Sequence, residues 1–280
     1  MDKATKEVIR QAVRERYGKI ANAGSVVSGI SPGASCCGDS GTAAPCCGSG
    51  SDVTSEQMSA LMGYSRQDLT SVPDGANMGL GCGNPVALAS LQSGETVVDL
   101  GSGGGFDCFL AAKQVGEAGK VIGVDMTPDM LSKARSNAEK IQAKNVEFRL
   151  GEIEHLPVAD NSADIIMSNC VINLSPDKLS VYRDAYRILK PGGRLAISDI
   201  VALGPLPQEI QQNLALVSAC VGGAATIDDT REMLAQVGFE SIKITPKDES
   251  RRLISEWTAG DSKNAGDYVV SAYIEAVKPL

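Results

Sequence analysis

Histidine and tryptophan are nearly missing from this chain of 280 residues: each occurs once, as His155 and Trp257. A Ser-His-Asp triad would have to use His155, and a site needing two imidazoles cannot be built at all. Basic charge is also short. With 26 Lys and Arg against 34 Asp and Glu, net charge −8, the chain lacks the positive footprint that a phosphate backbone requires, so no nucleic acid is expected as partner. No run approaches the roughly 18 to 20 apolar residues of a membrane span. The charged start, MDKATKEVIRQAVRERYGK, has no signal-peptide core, so a cytoplasmic protein away from any membrane is expected; a monomer is expected as well. Hydrophobic residues at 43% and charged residues at 21% are ordinary globular usage and allow a large buried core.

What the chain has in excess is cysteine: Cys36, Cys37, Cys46, Cys47, Cys82, Cys108, Cys170 and Cys220. Eight thiols in a reducing compartment point to soft-ion binding or redox chemistry before a disulfide framework. Four of them lie in SCCGDSGTAAPCCGSGSD, within a Gly-, Ser- and Ala-rich stretch over residues 23 to 55 that cannot form a core by itself.

The remainder has the rhythm of a layered α/β fold. A charged amphipathic helix is expected over residues 1 to 22. ETVVDL (95 to 100), KVIGVDM (120 to 126), VEFRLGE (146 to 152), ADIIMSN (163 to 169) and GRLAISDI (193 to 200) read as strands. Helices near 106 to 116, 128 to 143 and 176 to 190 fall between them. Apolar β-branched runs alternating with amphipathic helices predict a doubly wound, mostly parallel sheet with helices on both faces. Further helices are expected near 206 to 220 and 228 to 237, then edge strands near 241 to 246 and 267 to 278 that could pair as a hairpin around a less regular insertion, 247 to 266. The expected division is 1–75 (helix and Cys-rich segment), 76–204 (nucleoside-binding domain) and 205–280 (closing helix, insertion and edge strands).

The first strand runs into Asp99-Leu100-Gly101-Ser102-Gly103-Gly104-Gly105 and then a helix, where glycines let a ligand approach the backbone. The second strand ends in Asp125, 24 positions after Gly101, placed for a ribose diol. Phe106 stands where a dinucleotide fingerprint would have its third glycine, which disfavours NAD. These segments, with GEIEHLP and ILKPGGRLAISD, resemble the class I S-adenosylmethionine methyltransferases over residues 80 to 200. The resemblance implies S-adenosylmethionine as cofactor, with Gly101, Ser102 and Gly103 at its methionine part and Asp125 at its ribose. It further implies Met126, Glu152 and Ile153 at adenine, Tyr17 closing over the sulfonium, and Asn169 or Asn173 at the amino group or shaping the pocket. His155 reads as a loop histidine and Cys108 as a buried apolar residue.

Three cysteines stand at glycine-rich or strand-end turns: Cys82 in NMGLGCGNP, Cys170 in SNCVINL and Cys220 in SACVGGA. Side chains just beyond strand ends meet bound ligand in open α/β sheets. With DLGSGGGFDCF, these strings are similar to the arsenite methyltransferases over residues 75 to 245. That resemblance implies Cys82, Cys170 and Cys220 as the thiols that bind As(III), in an enzyme that detoxifies arsenite and releases methylated arsenicals. It also implies an upstream resolving cysteine, to be found among Cys36, Cys37, Cys46 and Cys47 with the second pair favoured, reopened by small thiols or thioredoxin. Soft sulfur ligands suit this ion, and three of them leave it one lone pair as nucleophile. Because thiols must deprotonate to bind, local positive potential or arsenic itself is expected to lower their pKa values. A quinone-type or other small-molecule C/O-methyltransferase, and a non-catalytic arsenic or soft-metal binder, stay open as alternatives.

Overall fold

A computed structural model describes residues 3–23, 54–258 and 265–280. Its elements in chain order are α1 (Lys3–Ala23), α2 (Ser55–Leu61), α3 (Arg66–Thr70), α4 (Pro85–Ala89), β1 (Thr96–Leu100), α5 (Phe106–Val115), β2 (Lys120–Asp125), α6 (Pro128–Lys140), β3 (Val146–Leu150) and β4 (Ala163–Asn169). There follow α7 (Lys178–Ile188), β5 (Leu189–Ala202), α8 (Gln208–Gln212), α9 (Leu214–Ser218), α10 (Ile227–Val237), β6 (Glu240–Lys247), α11 (Ser250–Thr258), α12 (Ala265–Tyr268) and β7 (Val269–Val277).

The strands form one sheet in the order β3-β2-β1-β4-β5-β7-β6. β1 to β5 pair in parallel, and β7 is antiparallel to both β5 and β6. Alternation along each strand sends side chains to opposite faces. Val97, Val121, Ile165 and Met167 pack on one face with α2, α4, α5 and α6. Val98, Leu100, Ile122 and Ile166 pack on the other with α7 and α10. The predicted doubly wound fold with an edge hairpin is therefore present. No helix among the described residues is long and apolar enough to cross a membrane.

Three expectations need correction. The single helix near 206 to 220 is broken in two, because the Asn213 side chain accepts from the Ala215 and Leu216 N–H groups and starts a new helix. The strand begins at Leu189 rather than 193, taking in the Pro-Gly-Gly segment expected to separate it from the preceding helix, which ends at Ile188. The first part of the insertion is regular: α11 occupies residues 250 to 258, and Ile254 anchors it in the core.

Candidate active site

The carboxyl ends of the parallel strands carry the site. After β1 the chain turns at Gly101 (φ +70°), Gly103 (φ +51°) and Gly105 (φ +90°), left-handed backbone that glycine adopts without penalty. Gly101 is also forced by space, since a Cβ there would stand 2.6 Å from Val171 Cγ1. The loop is pinned to the next strand by Gly101 and Ser102 N–H bonds to the Val124 carbonyl, 2.7 and 3.0 Å. Asp125 closes β2 with one oxygen accepting from Gly103 N–H (2.9 Å) and the other from Thr127 N–H (2.8 Å). Burial pushes its carboxyl above the usual range, and these backbone bonds draw it partly back.

The cysteines arrive from three separate segments and share one buried cluster with Leu174, Ile200 and Leu216, against which Tyr17 and Met126 also pack. The sulfurs of Cys82 and Cys170 and a carboxylate oxygen of Asp199 lie within 4.8 Å of one another. Cys220 joins from the side, its thiol donating to the Cys170 carbonyl at 2.7 Å. Cys170 (φ +60°) and Cys220 (φ +65°) both occupy left-handed backbone, which costs a non-glycine residue about 1–3 kcal/mol and concentrates at functional turns. Cys82 needs its flanking glycines for space: a Cβ at 81 would meet the Asn169 amide at 2.7 Å, and one at 83 would collide with the Ser198 hydroxyl.

Cys170 and Cys220 are not acidified. Cys170 is pushed well up by its interactions with the Cys220 and Cys82 thiols, then by burial. For Cys220 the hydrogen bond with Cys170 pulls downward, but burial and the nearby Asp199 outweigh it, so its pKa is also raised. The Arg16 charge does pull Cys220 downward, but burial and Asp199 outweigh it. Asp199 itself is pushed up to about 6 by burial, although Ile200, Ile172 and Asn173 donate to it.

Tyr17 on α1 lies between the two halves of the site. Its hydroxyl faces the Ser218 carbonyl at 3.4 Å, and burial, then Cys220 and Cys170, hold its pKa well above the ordinary value. Glu152 is not free to meet a ligand along its whole carboxylate, because Arg14 (2.6 Å) and Arg10 (3.3 Å) of α1 pair with it. Ile153 is buried in the core on the α7 face. Asn169 turns to the Cys82 segment, and Asn173 donates to Asp199 at 2.9 Å. His155 is exposed. Cys108 is fully buried and donates to Asp99 at 3.2 Å. Cys46 and Cys47 lie outside the described residues.

Sequence reasoning passed over Asp99, Asp107 and Asp199, all buried here. The available signal was a carboxylate inside an otherwise apolar segment: TVVDL, FDCFL and AISDIVA. Asp107 is pushed up to about 6 by burial, with the Tyr64 and Asn169 hydrogen bonds opposing.

A glycine loop after β1, an acidic end to β2 and a sheet with one reversed strand near its edge define a methyltransferase. The family model described as "Methyltransferase domain" matches residues 91–238. The arsenite methyltransferase of Halobacterium salinarum is 53% identical over 277 residues, 98% of this chain and 67% of its own length. The human arsenite methyltransferase is 43% identical over 152 residues, 51% of this chain and 40% of its own. The X-ray structure of CrArsM, an arsenic(III) S-adenosylmethionine methyltransferase from Chlamydomonas reinhardtii, superposes with a TM-score of 0.59 at 33% identity, covering 79% of this chain and 72% of that one. The chain belongs to the arsenite methyltransferase family.

Proposed function

We propose that the chain moves a methyl group from S-adenosylmethionine to trivalent arsenic held by Cys82, Cys170 and Cys220, and so detoxifies arsenite in the cytoplasm. The observation that carries this reading is the meeting of three buried thiols from three segments at the strand ends, one residue along from the Val171 that touches the glycine loop. Buried cysteines taken singly are ordinary; two of them held on left-handed backbone beside a third are not.

The cofactor fits the residues opposite. Gly103 leaves room for its backbone approach, Asp125 is placed for its ribose, and the Ser102 hydroxyl is buried with no hydrogen-bond partner, a group left for a ligand to satisfy. When bound, S-adenosylmethionine supplies a methyl already activated by its sulfonium. The protein's part is then orientation and dryness rather than proton removal. The thiols hold arsenic with its lone pair free, the apolar wall of Leu174, Ile200 and Leu216 excludes water, and the Tyr17 ring lies where it can face a cation.

Forming the As–C bond from the arsenic lone pair raises arsenic to the pentavalent state. Return to the trivalent state takes two electrons, which two thiols supply by joining as a disulfide. Cys46 or Cys47 with Cys82 serves that step, and small thiols or thioredoxin reopen the bond by exchange. Methylated arsenicals leave, and the chain works as a monomer.

The test uses arsenite, S-adenosylmethionine and a thiol, with arsenic species separated by mass. Cys170→Ser abolishes methylated arsenic while cofactor affinity stays within about twofold of the parent. A serine variant that still methylates arsenite at a tenth of the parental rate or better would refute the assignment.

A further inference from the structure

Asn169 is the last residue of β4, immediately before Cys170, at the end of the sheet where ligands bind. Its amide is nevertheless spent inside the protein. Oδ1 accepts the Cys82 N–H at 3.0 Å. Nδ2 faces three acceptors: the Gly83 carbonyl at 2.9 Å, the Tyr64 hydroxyl at 3.0 Å and Asp107 Oδ2 at 3.2 Å. An amide nitrogen has two hydrogens, so three acceptors fully occupy it. Tyr64 in turn donates to Asp107 Oδ1 at 2.6 Å, and Asp107 sits in the first turn of α5, directly after the glycine loop. Gly81 permits the arrangement, having φ +121° and no side chain where the amide presses.

One residue therefore does two things. Its backbone leads into Cys170, and its side chain grips the backbone on both sides of Cys82. The two cysteine segments are joined by a single half-buried amide, braced by the buried Tyr64–Asp107 bond, where rearrangement leaves unpaired groups.

We propose that Asn169 is the positioning residue of the arsenic site, setting the separation of the Cys82 and Cys170 sulfurs through the Cys82 backbone with Tyr64 and Asp107 as its brace, and that it does not bind the cofactor. The inference rests on Cys82 and Cys170 being arsenic ligands. It gives the Tyr64–Asp107 pair a role in the chemistry, although neither is among the thiols.

The test compares Asn169→Ala and Tyr64→Phe with the parent; the tyrosine variant removes one hydroxyl and covers the case in which the alanine variant fails to fold. Rates of iodoacetamide modification, mapped thiol by thiol without arsenic, read the loop directly. Cys82 is expected to react about tenfold faster in the variants, while Cys170 and Cys220 change by no more than about twofold. The arsenite KM rises about tenfold, equivalent to one hydrogen bond's worth of affinity, and the calorimetric Kd for S-adenosylmethionine stays within about twofold. Equal weakening of cofactor binding would make Asn169 a cofactor ligand and overturn the proposal. So would equal acceleration of all three thiols, or an unchanged Cys82. A parent that binds S-adenosylmethionine yet never methylates arsenite would instead refute the function proposed above, and the thiol-by-thiol rates would still report on the brace.

Discussion

Gly101 couples the two halves of the site, and replacing it by alanine isolates that coupling. Two penalties add. The backbone at φ +70° costs an L side chain about 1–2 kcal/mol. The new Cβ would also lie 2.6 Å from Val171 Cγ1 and 3.0 Å from its Cβ, and forcing atoms into a filled space costs about 1–3 kcal/mol. The single variant should lose about 2–5 kcal/mol in all. Val171→Ala alone removes two methyls from a half-buried side chain, about 1 kcal/mol. In the double variant the two methyl collisions are gone, while the 3.0 Å approach to the residue-171 Cβ, the backbone penalty and the lost methyl burial persist. The thermodynamic cycle should therefore show a favourable coupling of about 1–3 kcal/mol, read from urea unfolding of the four proteins. S-adenosylmethionine titrations on the same set should show affinity lost in Gly101→Ala and partly regained with Val171→Ala. Additivity within about 0.5 kcal/mol would refute the reasoning, because it would mean that the loop and the turn after Cys170 do not touch.

Two further predictions concern buried charge. Asp107, pushed up to about 6 in the folded chain, binds more protons there than in the unfolded chain between about pH 4 and pH 6, so its contribution to stability falls as pH rises through that window by up to about 3 kcal/mol. Relative to the parent, Asp107→Asn should gain by that order between pH 4 and pH 7 in chemical denaturation; a difference that does not change with pH refutes the assignment. Arg10 pairs with Glu154, which is 5% exposed, and with Glu152. Arg10→Gln leaves the Glu154 charge short of its cation, held by the Ser175 hydroxyl alone among its described partners, and should cost about 1–3 kcal/mol. It should also speed tryptic cleavage within α1 and raise the S-adenosylmethionine KM, and unchanged proteolysis would show that α1 is held by its other contacts.

How much of this was readable beforehand depends on how far apart the partners lie. The strand, glycine loop and helix around Gly101, and the carboxylate of Asp125, are local patterns whose geometry follows from a few consecutive residues. Cys82, Cys170 and Cys220 were legible for a different reason: each sits at a turn where strand ends or glycines place side chains toward ligand, so topology could gather them without a contact map. Asn169 was not legible. An asparagine at a strand end suits turn, pocket and ligand equally, and its partners Cys82, Asp107 and Tyr64 lie 87, 62 and 105 positions away. The partner of Glu152 was hidden for the same reason: Arg14 stands 138 positions earlier, on a helix whose docking no local pattern revealed. Asn213 was readable in principle, since a capping residue inside an apolar stretch is a break signal.

The raised thiols change what the protein must be doing at this site. A nucleophilic cysteine is usually acidified by a cation or a helix N-terminus. Here Cys170 and Cys220 are pushed the other way, and Cys220 spends its proton on the Cys170 carbonyl. Such thiols are poor nucleophiles toward general electrophiles, which is compatible with the proposed task of holding arsenic while arsenic supplies the electron pair. Ligand exchange at As(III) can release its oxygen ligands as water using the thiols' own protons, so neutral thiols need no base. The dry pocket that would hinder thiolate chemistry instead keeps water from competing with sulfur. Under the proposed function, selectivity for a soft acceptor follows from burial and placement, with the left-handed backbone at Cys170 and Cys220 fixing where the sulfurs point.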